Sequence, residues 1–225
     1  MFHNSELQFL DITPNVICPP SESPGLYRRA GKRVLDIAIV LAAAPIVLFL
    51  VTMLAVIVAC DRSNPFYSQN RVGLEGRTFR LWKLRSMVPD ADTCLAAYLA
   101  TNEEARLEWE VTQKLRNDPR ITRFGRFLRR SSLDELPQLF NVLRGDMSLV
   151  GPRPMMVEQR PIYPGTDYYL LRPGLTGLWQ VSERNGTSFA ERAKYDAEYN
   201  ATLSLAADLR TLWRTTSVVM RGTGV

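Results

Sequence analysis

Between residues 37 and 60 the chain carries no charged side chain, and only Pro45 and Thr52 interrupt an otherwise apolar run. A helix that is apolar all round must sit in a large core or in a membrane, so this run constrains the fold more than any other feature. As a helix it would reach about 36 Å, enough for a hydrocarbon core of about 30 Å. Pro45 complicates a simple crossing, because it removes one backbone hydrogen bond and breaks or kinks a helix. The pieces on either side of it would reach only about 12 Å and about 22 Å. Arg28, Arg29, Lys32 and Arg33 precede the run, and Arg62, Arg71, Arg77 and Arg80 follow it. Positive charge gathers on the cytoplasmic side, and a crossing would strand one of these flanks outside. A re-entrant hairpin that enters and leaves by one leaflet satisfies both flanks and is favoured over a kinked span. The expectation is a monotopic protein of the inner, cytoplasmic membrane whose soluble parts face the cytoplasm.

The run also divides the chain. Residues 1–27 hold Glu6, Asp11 and Glu22, no Lys or Arg, and several prolines. They read as a flexible acidic tail with no basic start of the kind a signal peptide needs. Residues 28–61 form the basic flank and membrane helix, and residues 62–225 the cytoplasmic-face catalytic domain.

Histidine is nearly absent: His3 is the only one, and Cys18, Cys60 and Cys94 are scattered. Imidazole triads, HExxH zinc sites and CxxC chemistry are therefore excluded within the fold. Any catalysis must rest on carboxylates, arginine, lysine, hydroxyls or a hard metal ion. The net charge is +5, and all but four of the 28 cations are arginine. Guanidinium groups suit planar, bidentate recognition of phosphate, although codon bias would produce the same count.

The periodicities predict a mainly helical α+β fold: a small β-hairpin, and amphipathic interfacial helices around a carboxylate active site. Strands are expected at residues 65–69 and 78–84, joined through Gly73 and Gly76. One helix is expected over residues 92–116. In residues 116–130 arginines interleave with Ile121, Phe124, Phe127 and Leu128, a pattern suited to lipid head groups or a phosphate-rich ligand. Prolines and glycines make residues 152–177 loop-rich, with a short strand at 178–181. Helices over residues 188–200 and 204–220 close the chain, the last carrying Trp213 on a face suited to an interface or to a core.

The strongest catalytic candidate is Asp134-Glu135, within Ser-Ser-Leu-Asp-Glu-Leu-Pro. One reading is structural: Ser132 with Glu135 three residues on fits a capping box. Pro137 opposes it, because with Ser132 as cap it would fall where its missing N–H costs an intrahelical bond. A helix starting at residues 134–136 instead places Pro137 in the first turn and the carboxylates at a helix mouth. An ionised carboxylate can attack a phosphoryl group without a histidine, given charge neutralisation by arginines and a hard cation such as Mg²⁺. Arg153 lies between two prolines, Arg184 lies in a Ser-Glu-Arg-Asn-Gly turn, and Lys83 and Arg85 share one face of a predicted strand. Each of these cations equally suits a solvated surface.

Lys83-Leu-Arg-Ser-Met87, the stretch from Leu133 through Asn141-Val-Leu-Arg-Gly-Asp-Met-Ser-Leu-Val-Gly-Pro-Arg-Pro154, and Arg172-Pro-Gly-Leu-Thr-Gly177 resemble the bacterial sugar transferase family, the monotopic phosphoglycosyl transferases. The resemblance covers residues 28–225. It implies transfer of a hexose 1-phosphate from a UDP-sugar to undecaprenyl phosphate at the membrane, starting exopolysaccharide or another surface glycan. By the same resemblance Asp134 is the nucleophile, forming a phosphosugar-aspartyl intermediate with release of UMP, and Glu135 is its partner, associated with Mg²⁺ and the acceptor. Arg153 and Arg184 match phosphate- or nucleotide-binding positions, with Asp196 and the Lys83–Arg85 strand as companions. The resemblance also implies a membrane helix broken at Pro45, yet relatives commonly carry serine before that proline where this chain has Ala44. UDP-glucose or UDP-galactose is favoured as donor, membrane lipid is an expected partner, nucleic acid is not, and homo-oligomerisation is left open. The rival expectation is a membrane-anchored scaffold whose arginines bind anionic lipid or nucleic acid and whose carboxylates are mere caps.

Overall fold

The computed structural model describes residues 25–112, 115–182 and 189–220. Residues 1–24 of the expected tail and Arg184 lie outside the described residues, while Tyr27, expected to end the tail, starts the first helical turn. A π-helical turn at Tyr27–Gly31 leads into α1, Lys32–Val58, a single helix with Pro45 inside it. The helix continues on both sides of Pro45, whose missing N–H removes a backbone bond, and Ala42, Ala43 and Ala44 before it are strong helix formers with little bulk. Its flanks include Leu41, Ile46, Leu48, Phe49 and Val56, all exposed. Among the described residues, Tyr27–Asp61 is the one helical stretch long and apolar enough to cross a membrane.

Both ends of α1 are gripped by the same body. Near the start, Arg33 donates to the carbonyls of Val142 and Leu143. One turn later, Asp36 is buried and accepts from the Ser148 hydroxyl at 2.7 Å and the Leu149 N–H at 3.0 Å. At the far end, Leu54 packs with Leu84 and Leu128, and Arg85 donates to the Val58 carbonyl.

β1 (Phe66–Val72) and β2 (Thr78–Leu84) form the predicted antiparallel hairpin, with Tyr67 opposite Lys83 and Arg71 opposite Phe79. The chain turns through Glu75 and Gly76, both at positive φ. The expected single helix over residues 92–116 is two, α2 (Ala91–Thr101) and α3 (Glu103–Thr112), parted at Asn102. There the backbone becomes extended, and the Asn102 side chain accepts from the Ala105 N–H at 3.0 Å, starting a new helix.

The arginine-rich stretch is helical only in α4, Arg123–Ser131, capped by the Thr122 side chain. Its Leu128 is buried, while Phe127 and Arg123, Arg126 and Arg130 are exposed. Arg120 lies outside the helix, paired with Asp118 at 2.6 Å and stacked on Trp109. A short 3₁₀ turn at Leu133–Glu135 and then α5, Gln138–Arg144, follow.

A second sheet, not anticipated, pairs β3 (Ser148–Val150) in parallel with β4 (Gly174–Thr176). Gly151 and Gly177 permit this: a Cβ on Gly151 would lie 2.3 Å from the Arg172 carbonyl, and one on Gly177 2.0 Å from that of Gly151. Leu178–Val181 is a helical turn, α6, not the expected strand. α7 (Arg192–Thr202) and α8 (Leu205–Met220) complete the chain. Val40, Leu81, Val142, Met147, Val150 and Tyr199 form the central apolar cluster, joining α1, β2, α5, β3 and α7.

Candidate active site

Asp134 and Glu135 lie in the 3₁₀ turn between α4 and α5. Ser132 before them adopts the left-handed conformation at φ 57° and makes no capping bond with its side chain, so the capping box does not form. Pro137 does not enter the first turn of α5; it stands just outside, at the cap position, where its missing N–H costs no intrahelical bond. The chain therefore reverses sharply at the two carboxylates.

α5 is registered on the hairpin by one side chain. Buried Asn141 accepts from the Trp82 N–H at 3.1 Å and donates to the Arg80 carbonyl at 2.7 Å, acting as a short extra strand on the edge of β2. This registration brings Lys83 to the carboxylates. Its ammonium donates to Glu135 Oε1 at 2.7 Å and stands 4.0 Å from Asp134 Oδ2. Asp134 is only 6% exposed. Burial pushes its pKa up to about 6, further raised by Glu135 and held back by Lys83 and Arg129.

Arg129 reaches this neighbourhood because α4 lies against the end of β2. Gly125 makes that approach possible, since a Cβ there would fall 1.9 Å from the Ser86 carbonyl. Arg129 Nε then donates to the Ser86 hydroxyl at 2.8 Å. In the sequence Arg129 belongs to an arginine face suited to lipid head groups or a phosphate-rich ligand; in the fold it pairs with Ser86 on the side of the carboxylates. Arg85 behaves differently from Lys83. It donates to Asp61, to the Asn64 and Val58 carbonyls and to Met87, so it clamps the end of the membrane helix and does not join the carboxylates.

Arg153 and Asp196 are brought together elsewhere, in a small cavity with Trp179, Phe189 and Arg192. The Arg153 and Arg192 guanidinium groups lie 5.7 Å and 4.2 Å from the Trp179 ring centre. Burial, then the charge of Arg153, lowers Arg192 to about 10. Arg71 is lowered by the same two causes, so three guanidinium groups share one region. The Nε atoms of Arg71 and Arg192 are buried without a hydrogen-bond partner among the described residues. Asp196 accepts from the Tyr163 hydroxyl at 2.6 Å and is raised to about 6 by burial, an effect that Tyr163 and Arg192 partly offset. Arg71 and Arg192 were not singled out from sequence as site residues. The one available signal was that Arg192 lies four residues before Asp196, on one face of α7.

The two groups are linked by the hairpin. Lys83 faces Tyr67 across the strands, and Arg71 follows Tyr67 by four residues on the same side, roughly 13 Å along β1. A carboxylate centre and a cationic, aromatic-lined centre thus lie along one strand pair, suiting an elongated anionic substrate with a phosphoryl group at one end.

Residues 27–222 match the bacterial sugar transferase family, and the chain belongs to it. It is 45% identical over 195 residues to the UDP-galactose-lipid carrier transferase of Erwinia amylovora, covering 86% of this chain and 41% of that protein. With the undecaprenyl-phosphate galactose phosphotransferase of Salmonella typhimurium it shares 42% identity over 221 residues, 97% of this chain and 45% of the relative. The chain thus spans less than half the length of these two relatives. The exopolysaccharide production protein ExoY of Sinorhizobium fredii is matched over most of its length: 41% identity over 202 residues, 89% of this chain and 88% of that protein.

Proposed function

We propose that the protein is a phosphoglycosyl transferase that moves a hexose 1-phosphate from a UDP-sugar, UDP-glucose or UDP-galactose being favoured, to undecaprenyl phosphate. The observation that carries this reading is the buried Asp134 beside Lys83 and Glu135, in a family whose relatives are named for such transfers. The carboxylate of Asp134 attacks the phosphorus that bears the sugar. The bond from that phosphorus to the bridging oxygen breaks, and UMP leaves with the electron pair. A phosphate oxygen of the lipid acceptor then attacks the same phosphorus and releases Asp134.

Lys83 lowers the cost of bringing an anion to an anion, since its charge lies within 4.0 Å of Asp134 and is held there by Glu135. Arg153, with Arg71 and Arg192, would receive the nucleotide end, Trp179 offering an aromatic face. Asp134 and Glu135 also fit a divalent cation such as Mg²⁺. Their oxygens are hard donors, and this ion is commonly held by one or two carboxylates together with substrate phosphates. No group of three or more acidic, histidine or cysteine ligands exists among the described residues. When bound, the ion would supply positive charge at the transferring phosphates.

The same reading places the protein on the cytoplasmic face of the inner membrane, with α1 entering and leaving by one leaflet. Both ends of α1 are tied to one body, which supports this topology, and Pro45 is where such a helix can bend. α4, with exposed Phe127 among arginines, and α8, with exposed Leu205, Leu209 and Trp213, would lie at head-group height. Against the scaffold alternative stands the absence of the Ser132–Glu135 capping box and the pairing of Glu135 with Lys83.

The test is UMP release by the purified protein supplied with UDP-glucose or UDP-galactose, Mg²⁺ and undecaprenyl phosphate. Asp134→Asn is expected to lower the rate by about a thousandfold or more. Full activity in that variant would falsify the nucleophile assignment.

A further inference from the structure

One row of side chains on α7 has a use at each end. Arg192 and Asp196, four residues apart, line the cationic cavity, and Asn200, four residues further on, continues the row about 12 Å from Arg192. Asn200 is held from two sides. Arg28, in the π-helical turn ahead of α1, donates to the Asn200 carbonyl at 3.0 Å and also to its side-chain oxygen. The Asn200 amide in turn donates to Asp167 Oδ1 at 2.6 Å. All three side chains are half-buried.

Both partners of the Asn200–Asp167 bond lead to the cavity. Asp167 opens the 3₁₀ turn Asp167–Leu170, whose next residue, Tyr168, lines the cavity and meets the Tyr163 ring edge-on with centres 5.6 Å apart. α7 lies against that turn. Burial raises the Asp196 carboxyl and the charge of Asp167 adds to it, so Asp167 stands within electrostatic reach of the cavity wall. The Asn200 amide thus joins the helix that carries Arg192 and Asp196 to the turn that carries Tyr168.

We propose that Asn200 is a positioning residue of the donor site, fixing α7 and the Asp167–Leu170 turn against each other and tying both to the start of the membrane helix. The proposal rests on the transferase reading above, in which this cavity receives the nucleotide end of the donor. Asn200 touches no substrate; it acts through Arg192, Asp196 and Tyr168. Small shifts suffice for a large effect, since a misplacement of about 1 Å can cost about a hundredfold in rate. Through Arg28, the donor site is complete only when the start of α1 is seated on α7.

Asn200→Asp keeps an acceptor for Arg28 and sets a carboxylate against Asp167. Adding Asp167→Asn restores the bond with donor and acceptor exchanged. Values of kcat/KM are read separately for the UDP-sugar and for undecaprenyl phosphate. In a reaction through a covalent intermediate, the first reports the donor half-reaction and the second the acceptor half-reaction. A general loss of folded protein lowers both by the same factor. For Asn200→Asp the expected result is a donor value lower by about fivefold or more, with the acceptor value within about twofold of the parent. The double variant is expected to recover the donor value. Arg28→Met, which frees Asn200 from the other side, is expected to lower the donor value alone. Equal falls in both values overturn the proposal, as does an unchanged donor value in both single variants or a double variant as impaired as Asn200→Asp. Failure of the underlying reading looks different: the parent protein would then release no UMP from a UDP-sugar.

Discussion

Asp134 is costly to ionise where it sits, and the same burial that raises its pKa isolates it from competing water. Its ordinary value of 3.8 becomes about 6 in the fold. The folded chain therefore holds this proton more tightly than the unfolded chain does. The favourable contribution is complete below pH 3.8 and is lost as pH rises through about 6. Above that, the ionised buried group is a standing cost of at most about 3 kcal/mol. Asp134→Asn is accordingly expected to melt higher than the parent at pH 7.5, and the difference is expected to vanish near pH 4. Thermal unfolding in detergent across that range checks it; comparing the two proteins cancels the titration of Asp196. In the proposed mechanism the donor half-reaction needs the ionised form, so its rate is expected to climb with pH and level off above about 6. An acid limb centred near pH 4 would contradict this account. The carboxylate pair was singled out in the sequence because Pro137 opposes a capping-box reading and because the motifs around it resemble the family. Lys83 as their partner was not, since a strand face says nothing about what packs on it.

At the scale of elements, the site depends on the α5–β2 contact. Asn141 satisfies two backbone groups at the edge of β2 and is 1% exposed. Asn141→Ala leaves a donor and an acceptor buried without partners, at roughly 3 kcal/mol. It is expected to lower Tm by several degrees and to reduce transfer, because α5 and the carboxylate turn lose their registration on Lys83. Loss of stability with full specific activity in the folded fraction would show that the turn holds its geometry without α5. The hairpin was readable, since its strands and glycine-containing turn are local signals. The parallel β3–β4 pair was not: each strand has three residues, and their pairing depends on the close approach of Gly151 to Gly174 and Gly177, more than twenty residues further along the chain. Leu178–Val181 has a strand-like composition and still forms a helical turn, an example of tertiary context overriding a weak local preference. Pro45 lies inside one helix in the fold, with helical residues before and after it.

For the molecule as a whole, the membrane helix and the catalytic body are one unit. Buried Asp208 on α8 accepts from Tyr27 at 2.6 Å, Lys32 at 2.8 Å and Tyr199 at 2.6 Å, and Asp36 is locked to β3. Two groups at the entrance of the membrane segment are thus bound to the last helix, more than 170 residues away in sequence. The proposed re-entrant topology has a direct test, since a crossing helix would put residues 25 and 75 on opposite sides of the membrane. Single cysteines at Gly25 and Glu75, in a background lacking the three native ones, are expected to react with an impermeant thiol reagent from the cytoplasmic side only. Labelling from opposite sides would establish a crossing.

What the sequence determined by itself is what local chemistry can carry. The apolar run is long enough to cross a membrane as a helix, the single histidine near the start leaves imidazole chemistry without a residue in the fold, and the contiguous motifs point to the family. The tertiary structure alone decided which cations serve the carboxylate pair. Arginines and lysines have much the same sequence signature whether they face solvent, clamp a helix end as Arg85 does, or share a buried cavity as Arg71 and Arg192 do. Their roles follow from burial and from neighbours brought together by folding, and neither quantity is written in the order of residues.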